Sequence, residues 1–151
     1  MAFDNLCRMS AFTIKKFSMW SVEIDDVVGA TTGLFKVLAD AGADIEFSLC
    51  RPLGEKPGKA ILFLAPIKGK KQEDAAKRAD FVMRPDVVGV QVQGPSRVGG
   101  NFRLTAALEH ANLSVRALVT TVDGDRFTTI FALKSDTDAE LAMKVLRQVV
   151  D

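Results

Sequence analysis

Residues 27–47, VVGATTGLFKVLADAGADIEF, lie without a gap over residues 97–117, RVGGNFRLTAALEHANLSVRA, at a constant offset of 70. Val28 falls on Val98, Gly29 on Gly99, Leu34 on Leu104, Leu38 on Leu108 and Ala41 on Ala111. Few positions are identical, but the matches are those that constrain a backbone or a core. Leu34, Phe35, Leu38 and Ala41 recur at helical spacing and make one apolar face; Leu104, Ala107, Leu108 and Ala111 do the same. Gly42 follows the first helix and Asn112 stands at the matching place after the second. These residue types best tolerate the left-handed conformation that ends a helix. The chain is therefore read as an internal repeat.

Working outward, the order of elements repeats as well. The first copy reads as strand WSVEID (20–25), helix 30–41, strands DIEFSLC (44–50) and KAILFLAPI (59–67), and a helix around QEDAAKRAD (72–80). The second reads as strand VVGVQVQ (87–93), helix 100–111, strand SVRALVTTV (114–122), a turn at Asp123–Gly124, strand RFTTIFAL (126–133) and helix 137–149. Thr137 with Glu140 matches a capping box for the last helix, whose apolar face runs Leu141, Val145, Leu146, Val149. Each copy is β-α-β-β-α plus one further strand. The expected fold is α+β: two ferredoxin-like βαββαβ modules in tandem, antiparallel sheets with helices on one face. The expected boundaries are residues 18–86 and 87–151, preceded by a segment 1–17.

That segment contains AFTIKKF (11–17), a strand-like stretch. The second copy ends directly after its last helix, without sequence for a closing fourth strand. Residues 11–17 are accordingly expected to be an exchanged strand that completes a second-copy sheet, in the same chain or a partner, and covers an open edge. AILFLAPI (60–67) is apolar on both faces, with Ile61, Phe63 and Ala65 on one and Leu62, Leu64 and Pro66 on the other. Something beyond its own helices is expected to cover it.

Composition narrows the function. Of 151 residues, 48% are apolar and 26% charged, and the net charge is +1. This balance lacks the basic excess of a chain built to coat nucleic acid or an anionic membrane. The longest apolar run is too short to span a bilayer, and the N-terminus shows no charged segment followed by an apolar one, so a cytoplasmic location is expected. Cys7 and Cys50 have no metal-ligand spacing and read as free thiols. His110, the one histidine, stands near a helix end, where a cation suits the dipole. No metal site, nucleophile elbow or cofactor motif is present, and no enzyme is expected. GATTG (29–33) lacks the lysine of a P-loop and the spacing of a dinucleotide loop.

The stretch VEIDDVVGATTGLFKVLADAGADIE (22–46) resembles the first strand, loop and helix of the ACT domain, a small ligand-sensing module of amino-acid metabolism. Asp26-Val27-Val28-Gly29 stands on that family's D-x-P-G loop, and Ala41-Gly42-Ala43-Asp44-Ile45 on its helix end. In the second copy Ser96-Arg97-Val98-Gly99 and Ala111-Asn112-Leu113-Ser114-Val115 take the same places. Valine replaces the family's proline in both copies, Thr31 stands where a core leucine is usual, and Asp44 and Ser114 replace a ligand-contacting asparagine. The resemblance implies that a free amino acid binds between the loop of one module and the start of the second strand of a neighbouring one. The implied ligand-binding residues are Asp26, Val28, Gly29, Ala30, Asp44 and Ile45, with Ser96, Val98, Gly99, Gly100 and Ser114. Unpaired N–H groups at the helix start would receive the carboxylate, and Asp44 the ammonium. Weighed against this, Gly29 and Gly99 serve only a tight turn and close helix–sheet packing.

The resulting expectation is a non-catalytic regulatory protein of amino-acid metabolism, a homodimer that binds an amino acid or similar metabolite and acts on a metabolic enzyme. The alternative is an assembly or adaptor module whose ligand site has decayed. A more distant alternative is an RNA-binding module, prompted by Lys68, Lys70 and Lys71 and by the shared element order; against it, KAILFLAPI offers Phe63 but no glycine-aromatic motif, and the chain has no tyrosine.

Overall fold

The computed structural model describes residues 11–150. They form β1 (Thr13–Asp25), α1 (Ala30–Asp40), β2 (Phe47–Pro52), β3 (Lys59–Ala65), α2 (Gly69–Arg78), β4 (Val82–Pro95), α3 (Gly100–His110), β5 (Ala117–Asp123), β6 (Arg126–Leu133) and α4 (Asp136–Val150). The chain divides into two compact units: a first module, Ser18–Arg84, and a second that joins residues 11–17 to residues 85–150. The strand order is β2-β3-β1-β4 in the first and β1-β4-β6-β5 in the second. No described helix is long and apolar enough to cross a membrane.

TIKKF (13–17) and WSVEID (20–25) are parts of one strand, β1, because residues 13–25 contain no glycine or proline to interrupt it. Its first residues belong to the second module. There Phe12 and Ile14 pack against the core of Val90, Val92, Leu104, Phe127 and Phe131, and Lys16 Nζ donates to the carboxylates of Asp136 and Glu140 on α4. Both acids hold the Lys16 ammonium above its ordinary value. Two β4 glycines lie beneath aromatic rings of residues 12–17, Gly94 on the core face shared with Val90 and Val92 and Gly89 on the opposite face. A Cβ at Gly89 would stand 2.2 Å from Phe17 Cε2, and one at Gly94 2.2 Å from Phe12 Cδ1. The Phe12 ring in turn meets Phe127, centroids 6.3 Å apart.

The repeat is visible atom by atom. Gly29 and Gly99 cap α1 and α3 in the same left-handed conformation, φ 84° and 79°. After each helix Gly42 (φ 81°) and Asn112 (φ 56°) are left-handed. Both ends close as Schellman motifs: Gly42 N–H to Ala39 and Ala43 N–H to Leu38, Asn112 N–H to Glu109 and Leu113 N–H to Leu108. Each hairpin is entered by one equivalent bond, Glu46 N–H to Ala65 C=O and Arg116 N–H to Ala132 C=O. β2 and β5 start three residues later than the sequence suggests, at Phe47 and Ala117. The preceding residues instead direct Ala43 and Ile45, and Leu113 and Val115, into the two cores.

Two helix starts also differ from expectation. α4 begins at Asp136, with the Ser135 hydroxyl oxygen accepting the Asp138 N–H at 3.1 Å. Ser135, not Thr137, is the cap, and the buried face is Ala139, Ala142 and Leu146, with Leu141 40% exposed. α2 begins at Gly69, so Lys70 and Lys71 occupy its first turn and the acids follow. Lys70 is matched by Asp74 one turn on, 3.0 Å away.

The first core gathers Trp20, Val22, Leu38, Leu62, Leu64, Ala76 and Phe81. The opposite face of β3 is covered within this chain as well: Ile61 and Ala65 are buried, and the Arg84 guanidinium lies 5.8 Å from the Phe63 ring centre.

Candidate functional site

In each module a strand delivers the chain into a four-residue loop whose last residue caps a helix. In the first module the Asp26 N–H donates to Gly58 C=O, and in the second the Ser96 N–H donates to Asp125 C=O. Both loops are therefore anchored at the equivalent residue. Ala30 N–H then donates to Val27 C=O and Gly100 N–H to Arg97 C=O, which closes the turn onto the helix. Neither helix has a side-chain cap or an acid in its first turn. The first turn of each helix thus carries no acid against the positive end of the dipole, although Asp26 stands in the loop before α1.

The glycines are explained by backbone conformation, not by lack of room. A Cβ on Gly29 or Gly99 would meet nothing within 4 Å, but both residues have the positive φ that L side chains rarely adopt. Close helix–sheet packing, weighed as their purpose from sequence, is not what they serve. Gly100 has no such restriction and is equally open. Val28 and Val98 project fully into solvent, while Asp26 and Ser96 are exposed and Ala30 and Gly100 half-buried.

Asp44 and Ser114 occupy different ground. Both are exposed, with Ile45 half-buried beside Asp44. They follow the far ends of α1 and α3, and each helix has 11 residues, a span of about 16 Å at 1.5 Å per residue. The fold therefore brings Asp26, Val28, Gly29 and Ala30 together at one end of the first module and sets Asp44 and Ile45 at the other. It does likewise with Ser96, Val98, Gly99 and Gly100 against Ser114. A ligand touching both groups needs a loop from one module and a helix end from another.

Two features escaped the sequence. Asn101, in the first turn of α3, has its Oδ1 3.2 Å from the hydroxyls of both Thr120 and Thr129, which lie 2.8 Å from each other. Two hydroxyl protons serve three contacts, and Thr129 is wholly buried. The cluster fixes the start of α3 against β5 and β6. Its signal was the turn at Gly124, which sets Thr120 opposite Thr129. The second feature is a cavity of about 280 Å³ in the second module, bordered by Arg97 of the loop, by Gly100, Arg103 and Leu104 of α3 and by the end of α4. Its walls come from separate parts of the chain, and no local pattern announces it.

The basic cluster is largely neutralised. Lys68 Nζ lies 3.7 Å from Glu46 and Lys70 is paired with Asp74. Phe63 is half-buried under Arg84 and is not presented for stacking.

No protein-family model matches the chain, and no curated protein matches it in sequence. Solved structures do. The chain is similar to the ligand-free regulatory subunit of aspartate kinase from Thermus thermophilus, with a TM-score of 0.64 and 16% identity over 93% of this chain and 97% of that one. A protein from Bacteroides thetaiotaomicron matches with a TM-score of 0.68 and 15% identity, covering 92% of this chain and 90% of that one. The aspartate kinase of Clostridium acetobutylicum matches over 34% of its own length and 93% of this chain, with a TM-score of 0.58 and 18% identity. The chain thus has the doubled, ACT-like βαββαβ fold of the aspartate kinase regulatory subunit.

Proposed function

We propose that this protein is a non-catalytic regulatory module that binds a free amino acid between the glycine loop of one module and the helix end of another, in a homodimer that acts on a metabolic enzyme. The observation that carries the reading is the pair of uncapped helix starts, each held in the same left-handed glycine conformation with no acid in the first turn. Such a terminus suits a carboxylate. Asp44, exposed after the opposite helix end, suits an ammonium. Because the two lie at opposite ends of α1, the reading requires a second module, which the proposed dimer supplies. The similarity to regulatory subunits supports the fold this reading needs.

The test is calorimetric titration with free amino acids. Any that binds wild type should bind Asp44→Ala more weakly, by the roughly 1.5–3 kcal/mol of a charge-assisted hydrogen bond. Val28→Glu should weaken it too, by placing a carboxylate beside the ligand's own. The solvent-facing Val28 makes this a cleaner perturbation than a side chain at Gly29, which the positive φ would strain. Wild-type affinity in both folded variants would place the site elsewhere.

An assembly or adaptor role is favoured by one observation. On the second module Val98, Phe102, Leu118 and Val122 are all exposed, Phe102 by 75%. Substituting Phe102 by Ser should leave amino-acid binding intact under the first reading and abolish partner capture or self-association under the second.

A further inference from the structure

We propose that the cavity beside the start of α3 is a second site, selective for a small apolar monocarboxylate that lacks an ammonium group. Its floor is apolar: Leu104 and Phe127 are buried, and Phe12 and Val149 are half-buried around them. Its rim carries Arg97, from the loop, and Arg103, from α3. Arg103 Nη2 donates to Val149 C=O at 3.0 Å, which holds the guanidinium over the end of α4. Among the described residues neither arginine has a carboxylate partner, and no Asp or Glu borders the cavity.

The chemistry of the ligand follows from that inventory. Two guanidiniums beside the start of α3 favour an anion, and their planar forks match a carboxylate. The recess removes an apolar body from water. It lies at the small end of ligand pockets, roughly 300 Å³ upward, and suits a branched aliphatic or compact aromatic group. An ammonium entering the same space would lose its water with no carboxylate among the described lining residues in exchange. A 2-oxo acid or simple branched acid is therefore preferred over the amino acid of the same shape. This site shares Gly100 with the loop of the two-module reading but uses neither Asp44 nor Ser114, which do not border the cavity.

The test is an NMR titration of the whole chain with 4-methyl-2-oxopentanoate, and in parallel with leucine and with the neutral 4-methylpentan-2-one. The oxo acid should move the amide resonances of Gly100, Leu104 and Phe127 and leave those of Asp44 and Ile45 in place. The ketone should bind this site about tenfold or more weakly, the effect of one charge-assisted hydrogen bond, and leucine should bind more weakly than the oxo acid through the desolvation of its ammonium. The double variant Arg97→Gln, Arg103→Gln should lose oxo-acid binding by a similar factor. Should that variant misfold, Arg97→Lys supplies the comparison, keeping charge but not the fork, with weakened binding expected. Val149→Trp, which adds bulk to the lining, should fill the recess and block binding. Absence of shifts at the three amides with millimolar oxo acid, equal binding by the ketone, or unchanged affinity in the folded arginine variants would overturn the proposal. A failure confined to the leucine response at Asp44 would count against the amino-acid reading alone.

Discussion

Gly94→Ala should destabilise the second module, and only because Phe12 lies over it. The added Cβ would stand 2.2 Å from Phe12 Cδ1, far inside van der Waals contact. The ring has limited freedom to retreat, since Phe127 faces it with centroids 6.3 Å apart. Overpacking of this kind costs about 1–3 kcal/mol. Removing a glycine from a strand interior returns about 0.5–1 kcal/mol, so a net loss of roughly 1–2 kcal/mol is expected. In a Phe12→Ala background the overpacking disappears and Gly94→Ala becomes stabilising by about 0.5–1 kcal/mol. The double-mutant cycle should therefore show a coupling of about 1–3 kcal/mol. Hydrogen exchange of the β6 amides reads the opening of the second module. Fluorescence of Trp20, the chain's only tryptophan and buried in the first core, is a separate reporter of the first module and should be little affected. Additive effects of the two substitutions would refute the contact, and with it the seating of residues 11–17 on β4.

Three further perturbations test local claims. Ser135→Ala should cost about 1 kcal/mol through loss of the α4 cap, while Thr137→Ala should be near neutral; urea unfolding of the two variants separates the observed cap from the one the sequence suggested. Thr129→Val removes one of the two hydroxyl protons serving Asn101 and should cost about 1 kcal/mol by urea unfolding, with faster exchange in the first turn of α3. The Lys70 ammonium, hydrogen-bonded to Asp74, holds that carboxyl below its ordinary value of 3.8. The pair's contribution to stability is then present above the unfolded value and lost as pH falls through the lowered folded one. An NMR pH titration of the Asp74 carboxyl should show the depressed midpoint, and Lys70→Met should raise it; an unmoved midpoint would contradict the pairing.

What the sequence made legible was what local chemistry controls. β6 spans Arg126–Leu133 as read, because Gly124 adopts φ 59° and fixes the hairpin. The two glycine caps and the left-handed Gly42 and Asn112 followed from residue type alone. The capping-box match at Thr137 misled because Ser135 with Asp138 offers the same pattern two residues earlier. β4 extends to Val82 on one side and Pro95 on the other, beyond the run that alternates clearly, because pairing with other strands overrides weak local preference there. The covering of Gly89 and Gly94 by Phe17 and Phe12 was hidden for the same reason: it depends on which distant strand lies alongside. In the candidate site, both the loops and their separation from Asp44 and Ser114 were readable, because helices read as 30–41 and 100–111 match α1 and α3 within a residue. The cavity was invisible, since Phe12, Arg97, Phe127 and Val149 meet only in three dimensions.

In the proposed function an amino acid is held by a loop and a helix end from different modules. An amide NMR titration of the uniformly labelled protein, with each amino acid that scores in a thermal-shift screen, tests it most directly. The account predicts that one amino acid shifts Gly29 and Ala30 together with Asp44 and Ile45, or Gly99 and Gly100 together with Ser114, along one saturation curve. Shifts at a loop alone, or no response at either pair with any amino acid, would contradict it.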